Sequence, residues 1–137
     1  MAKYSVIQNV LLIRLIRSGY PGIGRETAIT FAKAGTSLIL TARRAEQLAE
    51  TKELCEEANK NVKVATIELD VSKPDQVSAL LDKIPEDLRE GVDLLVNNAG
   101  LVKGVDKVGD ISVEDIDIML DTNVKGLIGI TQVWILH

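Results

Sequence analysis

Gly19, Gly22 and Gly24 cluster directly after an apolar run at residues 10–13 and directly before a helical pattern. Glycine in such a turn lets the backbone approach an anionic group, and a helix N-terminus offers free N–H groups and a positive dipole end. Gly22-Ile23-Gly24 is therefore a candidate cradle for a pyrophosphate. No Lys-Ser or Lys-Thr pair follows, which argues against a P-loop. Pro21 removes one backbone donor where phosphate contacts are expected.

A second chemical group, Arg43-Arg44, follows the next apolar run. Sites for NAD usually place an Asp or Glu there to bond the ribose 2′-OH. A guanidinium pair suits the 2′-phosphate of NADP instead, because its fork of donors matches phosphate geometry. The alternative is that both arginines merely solvate a helix start. Asp70 closes the third apolar run, and Asn97-Asn98-Ala99-Gly100 closes the fourth. Asn123 lies inside a helical pattern. Its carboxamide can donate and accept, and so could bridge a water and a backbone carbonyl; the alternative is a simple helix kink.

The elements that must position these groups alternate between strand and helix. Strand patterns cover 10–13, 37–41, 62–69 and 92–96. Between them, one helix carries Ala28, Phe31 and Ala32 and stops near Gly35, and a second aligns Leu48, Cys55 and Ala58. A third, capped by Ser72 with Pro74 in its first turn, buries Val77, Leu80, Leu81 and Ile84. A long helix capped by Ser112 runs through Ile116, Met119, Leu120, Val124 and Leu127. Such alternation requires right-handed crossovers and a parallel sheet covered on both faces. The expected fold is an α/β, Rossmann-like, doubly wound parallel sheet whose ligand crevice lies at the strands' carboxyl ends. Residues 1–137 read as a single incomplete domain, truncated after the fourth strand and the long helix that follows.

Composition fits this reading and narrows the function classes. The chain of 137 residues is 46% hydrophobic and 26% charged, ordinary values for a globular domain. A net charge of -4, with scattered Lys and Arg, argues against nucleic acid as a partner. The single cysteine, Cys55, can neither close an internal disulfide nor build a thiolate metal site, which suits the cytoplasm; no metal is expected. Gln8, Asn9 and Arg14 interrupt the apolar run at 6–16, which is too short to span a bilayer. No membrane partner is expected.

Taken together, Gly22-Ile23-Gly24-Arg25, Ala42-Arg43-Arg44, Leu69-Asp70-Val71, Asn97-Asn98-Ala99-Gly100 and Thr122-Asn123-Val124 resemble, in order and spacing, the short-chain dehydrogenase/reductase family. The resemblance extends over nearly the whole chain. Gly104, Asp106, Val108-Gly109 and Asp115-Ile116 are similar to the family's NADP-dependent 3-hydroxy acid and serine dehydrogenases. It implies an oxidoreductase of alcohol and carbonyl groups with NADP preferred over NAD. Gly19, Gly22, Ile23, Gly24, Arg43 and Arg44 would then hold the cofactor. Asp70 and Val71 would contact its adenine, while Asn97, Ala99 and Gly100 would line it. Asn123 would serve a proton relay, and the last helix could pair two copies.

Two departures accompany that resemblance. The family's catalytic serine, and its tyrosine with a lysine four residues later, would lie beyond His137. Tyr4 and Tyr20 are followed at that distance by Gln8 and Gly24. An isolated phenol titrates near ~10 and is a poor acid–base group at neutral pH. The isolated chain is therefore expected to bind without turning over. In the glycine turn, the family spacing would put Ser18 at the first glycine and Arg14 inside a buried strand. Ending the strand at Ile13, with a longer substitute turn at 14–21, is the preferred alignment. The alternatives to an oxidoreductase half are a non-catalytic NADP-binding or dimer-partner module, and an imperfect gene model.

Overall fold

The computed structural model describes residues 9–13, 22–103 and 107–135. Gly19, Tyr4, Tyr20, Pro21, Gly104 and Asp106 lie outside them. Four strands form one sheet: β1 (Asn9–Ile13), β2 (Ser37–Ala42), β3 (Val64–Glu68) and β4 (Val92–Asn97). Their order is β3-β2-β1-β4 and every pairing is parallel. The chain thus winds outward from β1 to β3, then crosses to the other side of β1 to lay down β4. That reversal is the topological switch point of a doubly wound sheet.

Helix α1 (Ile23–Lys33) buries Gly24, Ala28 and Ala32 against the sheet. It ends because Gly35 takes φ +86°, a conformation that favours glycine. The Gly35 N–H then bonds the Ala32 carbonyl at 2.9 Å, and the Thr36 N–H bonds the Phe31 carbonyl at 3.0 Å. Those are the two bonds of a Schellman cap. Helix α2 (Ala45–Ala58) buries Leu48, Thr51 and Cys55. Thr51 belongs to this inner face because its hydroxyl donates to the Gln47 carbonyl at 2.8 Å, so its polar atom is satisfied within the helix.

Alternation along β2 divides the core. Leu38, Leu40 and Ala42 pack with Ala28, Ala32, Leu48 and Cys55 on one face. Ile39 packs with Ile67, Leu69, Val77, Leu80 and Ile130 on the other. A strand buried on both faces belongs to a covered parallel sheet, which is why residues 38–42 carry no charge.

Two helices differ from the sequence expectation. The one expected through Ile84 is two short pieces, α3 (Pro74–Ser78) and α4 (Leu80–Lys83), and a further short helix, α5 (Glu86–Arg89), follows Pro85. The Ser78 hydroxyl donates to the Asp75 carbonyl at 2.9 Å, and Ala79 departs from helical ψ at 4°. Ser72 does not cap this segment. Lys73 occupies the N-cap, and Ser72 turns back to Asp70. The long C-terminal helix is interrupted as well. Helix α6 (Val113–Leu120), capped as expected by Ser112, runs into a π-helical turn at Asp121–Gly126 before α7 (Leu127–Ile135).

Candidate functional site

The sheet register aligns the carboxyl ends of the strands: Ile13 faces Thr41 on one side and Asn97 on the other, and Ala42 faces Glu68. The segments that follow β2, β3 and β4 gather along one edge. Gly22 is the N-cap of α1, and its carbonyl accepts from Arg25 N–H at 3.0 Å and Glu26 N–H at 3.3 Å. The N–H groups of Ile23 and Gly24 precede that ladder, as expected of a first turn able to receive an anion.

Arg43 and Arg44 follow β2 and are both exposed. Neither guanidinium is paired with an acid among the described residues. Arg25 is held differently: it grips Glu50 with two nitrogens at 2.5 and 3.0 Å, tying α1 to α2. The Asp70 carboxylate is fixed by its own turn. Its Oδ1 accepts from the Ser72 N–H at 3.0 Å and the Ser72 hydroxyl at 2.8 Å, while Gln76 accepts from the Asp70 N–H at 2.8 Å. Oδ2 is left without a partner among the described residues, so it can accept from a ligand.

At the end of β4, the Asn97 side chain donates to the Thr131 hydroxyl at 3.2 Å, joining the strand to α7. Gly100 is exposed, and Ala99 packs against the core under α7. Asn123 engages the same loop. Its Oδ1 accepts from the Leu101 N–H, and its Nδ2 donates to the Leu101 carbonyl, both at 2.8 Å. The carboxamide therefore clamps one backbone residue from both sides. The kink and the clamp coincide: the π turn carries Asn123 at its centre. Such turns recur at functional sites.

The structure thus collects Gly22, Ile23, Gly24, Arg43, Arg44, Asp70, Val71, Asn97, Ala99, Gly100 and Asn123 along one side of the sheet. Gly19 is outside the described residues. Sequence reasoning missed Leu101 as the partner of Asn123, Gln76 as a support for Asp70, and Gly126, which lies close to Val71. Only Gly126 had a signal, as an isolated glycine inside a helical pattern. A cleft of about 600 Å³ lies elsewhere, between α3 and α7, and shares with these residues only Val71.

A parallel sheet that switches direction beside β1, with a glycine-opened helix and the loops after β2, β3 and β4 at one edge, defines a doubly wound domain of the Rossmann type. The chain belongs to the short chain dehydrogenase family, which it matches over residues 13–137. This is a family of nicotinamide-dependent oxidoreductases.

Among curated relatives, it is 44% identical over 120 residues to sulfoacetaldehyde reductase 2 of Chromohalobacter salexigens, covering 88% of this chain and 46% of that protein. It is 39% identical over 120 residues to the NADP-dependent 3-hydroxy acid dehydrogenase of Schizosaccharomyces pombe, covering 86% and 45%. The crystal structure of serine dehydrogenase from Escherichia coli superposes with a TM-score of 0.80 at 32% identity, covering 94% of this chain and 55% of that one. The chain spans about half the length of the curated relatives it matches. Among the described residues, no helix is long and apolar enough to cross a membrane.

Proposed function

We propose that this chain is the cofactor-binding part of an NADP-dependent short-chain oxidoreductase acting on alcohol and carbonyl groups, 3-hydroxy acids among them. The observation that carries the reading is the pair of exposed guanidinium groups at the end of β2, Arg43 and Arg44, with no acid partner among the described residues. The residues present fit the cofactor. Ile23 and Gly24 offer first-turn N–H groups to the pyrophosphate, Gly22 caps the helix that carries them, and Gly19 is assigned to the same group from the sequence. Arg43 and Arg44 hold the 2′-phosphate, the free Oδ2 of Asp70 accepts from the adenine amino group, and Val71 borders the ring. Asn97, Ala99 and Gly100 line the crevice towards the nicotinamide. When bound, the nicotinamide supplies the hydride acceptor or donor for an alcohol–carbonyl pair.

Asn123 shapes the substrate side by fixing Leu101 next to Gly100. Proton transfer falls to groups that these 137 residues do not supply, since neither Tyr4 nor Tyr20 has a lysine four positions on. Support for the substrate class comes from the Schizosaccharomyces pombe relative, whose name specifies NADP and 3-hydroxy acids. A cytoplasmic location fits the lone, unbridged Cys55.

A second reading, a non-catalytic partner module that pairs through its last helix, is favoured by the exposed apolar side chains of Leu120, Val124, Leu127 and Ile128. Titration calorimetry with NADP and NAD tests the cofactor assignment. NADP should bind about tenfold or more tightly, and Arg43→Asp and Arg44→Asp should each shrink the difference. Equal affinities, unmoved by either substitution, would remove it.

A further inference from the structure

Inside the π turn, Gly126 is buried, and the space where its side chain would stand is already occupied. A Cβ built there would lie 2.8 Å from the Val71 carbonyl oxygen, 2.9 Å from Val71 Cγ2 and 3.1 Å from Val71 Cβ. The nearest of these atoms is backbone, so no side-chain rotation relieves the contact. Gly129, three residues on, differs: a Cβ there would meet only Val77 Cγ1, at 3.4 Å. Gly126 therefore sits directly against the β3–α3 loop, at the backbone that carries Asp70 and Val71.

We propose that Gly126 is a positioning residue for adenine recognition: its missing side chain sets how deeply the Asp70-Val71 loop seats, and so where the free carboxylate oxygen of Asp70 meets the ring's amino group. The inference rests on the reading of Asp70 and Val71 as the adenine contacts. Any larger residue at 126 must displace the Val71 peptide by roughly 0.5 Å, about the tolerance within which a binding constellation works. The turn of Asp70 is rigid, pinned by Ser72 and Gln76, so the displacement is passed to the carboxylate and not absorbed by it. Arg43 and Arg44 sit on a different loop, after β2, and do not share it.

The test compares NADP with its deamino analogue, in which a carbonyl replaces the adenine amino group, using the full 137-residue chain. The wild type should prefer NADP by about fivefold, the size of one hydrogen bond. Asp70→Ala should abolish that preference. Gly126→Ala should bring it within about twofold of unity while leaving the NADP-over-NAD ratio, set by the arginines, unchanged. Gly129→Ala should alter neither ratio. A general loss of structure would lower both ratios together, so the split distinguishes positioning from stability.

If the wild type does not bind NADP, or binds both analogues equally, the adenine reading fails and this inference with it. If Asp70→Ala abolishes the preference but Gly126→Ala keeps it, the reading stands and the role of Gly126 is overturned. Should Gly126→Ala not fold, the Gly126→Ala/Val71→Ala pair relieves the Cγ2 contact and retains the carbonyl contact. That pair should discriminate less than Val71→Ala alone, and equal ratios overturn the proposal.

Discussion

Arg25, Arg43 and Arg44 each carry one positive charge, yet only the last two are available to a ligand. The bidentate grip of Arg25 on Glu50 occupies its terminal nitrogens, whereas Arg43 and Arg44 stand exposed without an acid partner among the described residues. Cys55 shows the opposite extreme of availability. It is fully buried against α1 and the sheet, and burial, helped by the charge of Glu56, pushes its thiol up to about 11. A folded pKa raised above the unfolded value means that the folded chain keeps a proton the unfolded chain has lost, so stability should fall as pH rises from about 9 to about 11. The thiol should also be inert while the chain is folded. Alkylation by iodoacetamide at pH 8 should run at least about 100-fold slower in buffer than in denaturant, given the scarcity of thiolate. Similar rates in both would show that Cys55 is accessible.

The π turn does at the scale of an element what no single residue could. An uninterrupted α-helix keeps one periodicity throughout, whereas the wider turn at Asp121–Gly126 presents Asn123 to Leu101 and Gly126 to Val71. The helix therefore braces two loops of the crevice at once. Asn123→Ala removes both bonds to Leu101 and should cost about 1–2 kcal/mol in urea unfolding, because both lie at the surface, where water partly replaces them. Asn123→Asp keeps an acceptor for the Leu101 N–H but sets a carboxylate oxygen against the Leu101 carbonyl, so it should destabilise as well. If Asn123→Ala unfolds at the wild-type midpoint, the clamp contributes nothing to the fold.

Across the whole molecule, the two sides of the sheet order differ in cover. β2, in the interior, is buried from residue 38 to 42, while β4 is only partly buried and has β1 as its one strand neighbour among the described residues. Beside it, the last helical stretch exposes Leu120, Val124, Leu127, Ile128 and Ile135. An apolar helix face next to a sheet edge promotes association between chains. Light scattering of the isolated chain should report species larger than a monomer at micromolar concentration. Leu127→Lys and Ile128→Lys together should reduce them without lowering the unfolding midpoint, since both side chains are about half exposed. A monodisperse monomer, indifferent to both substitutions, would mean that this face is not adhesive.

The alternating apolar runs and helical periods already specified a doubly wound parallel sheet, because hydrophobic period reports local geometry and parallel strands require crossovers. Residue types together with the family resemblance singled out Arg43-Arg44, Asp70, the Asn97-Asn98-Ala99-Gly100 stretch and Asn123 as candidates. Other features depended on contacts between residues far apart in the chain. The partner of the Asn123 carboxamide is the backbone of Leu101, and a backbone partner leaves no trace in side-chain identity. Ser72 had the right type and place for a cap, but the nearby Asp70 carboxylate competed for its hydroxyl. The break between α3 and α4, and the π turn in what read as one helix, likewise followed from packing and side-chain bonds that override local propensity. Gly126 could be seen in the sequence as a glycine within a helix, but its purpose became visible only when the fold brought the Val71 carbonyl against it.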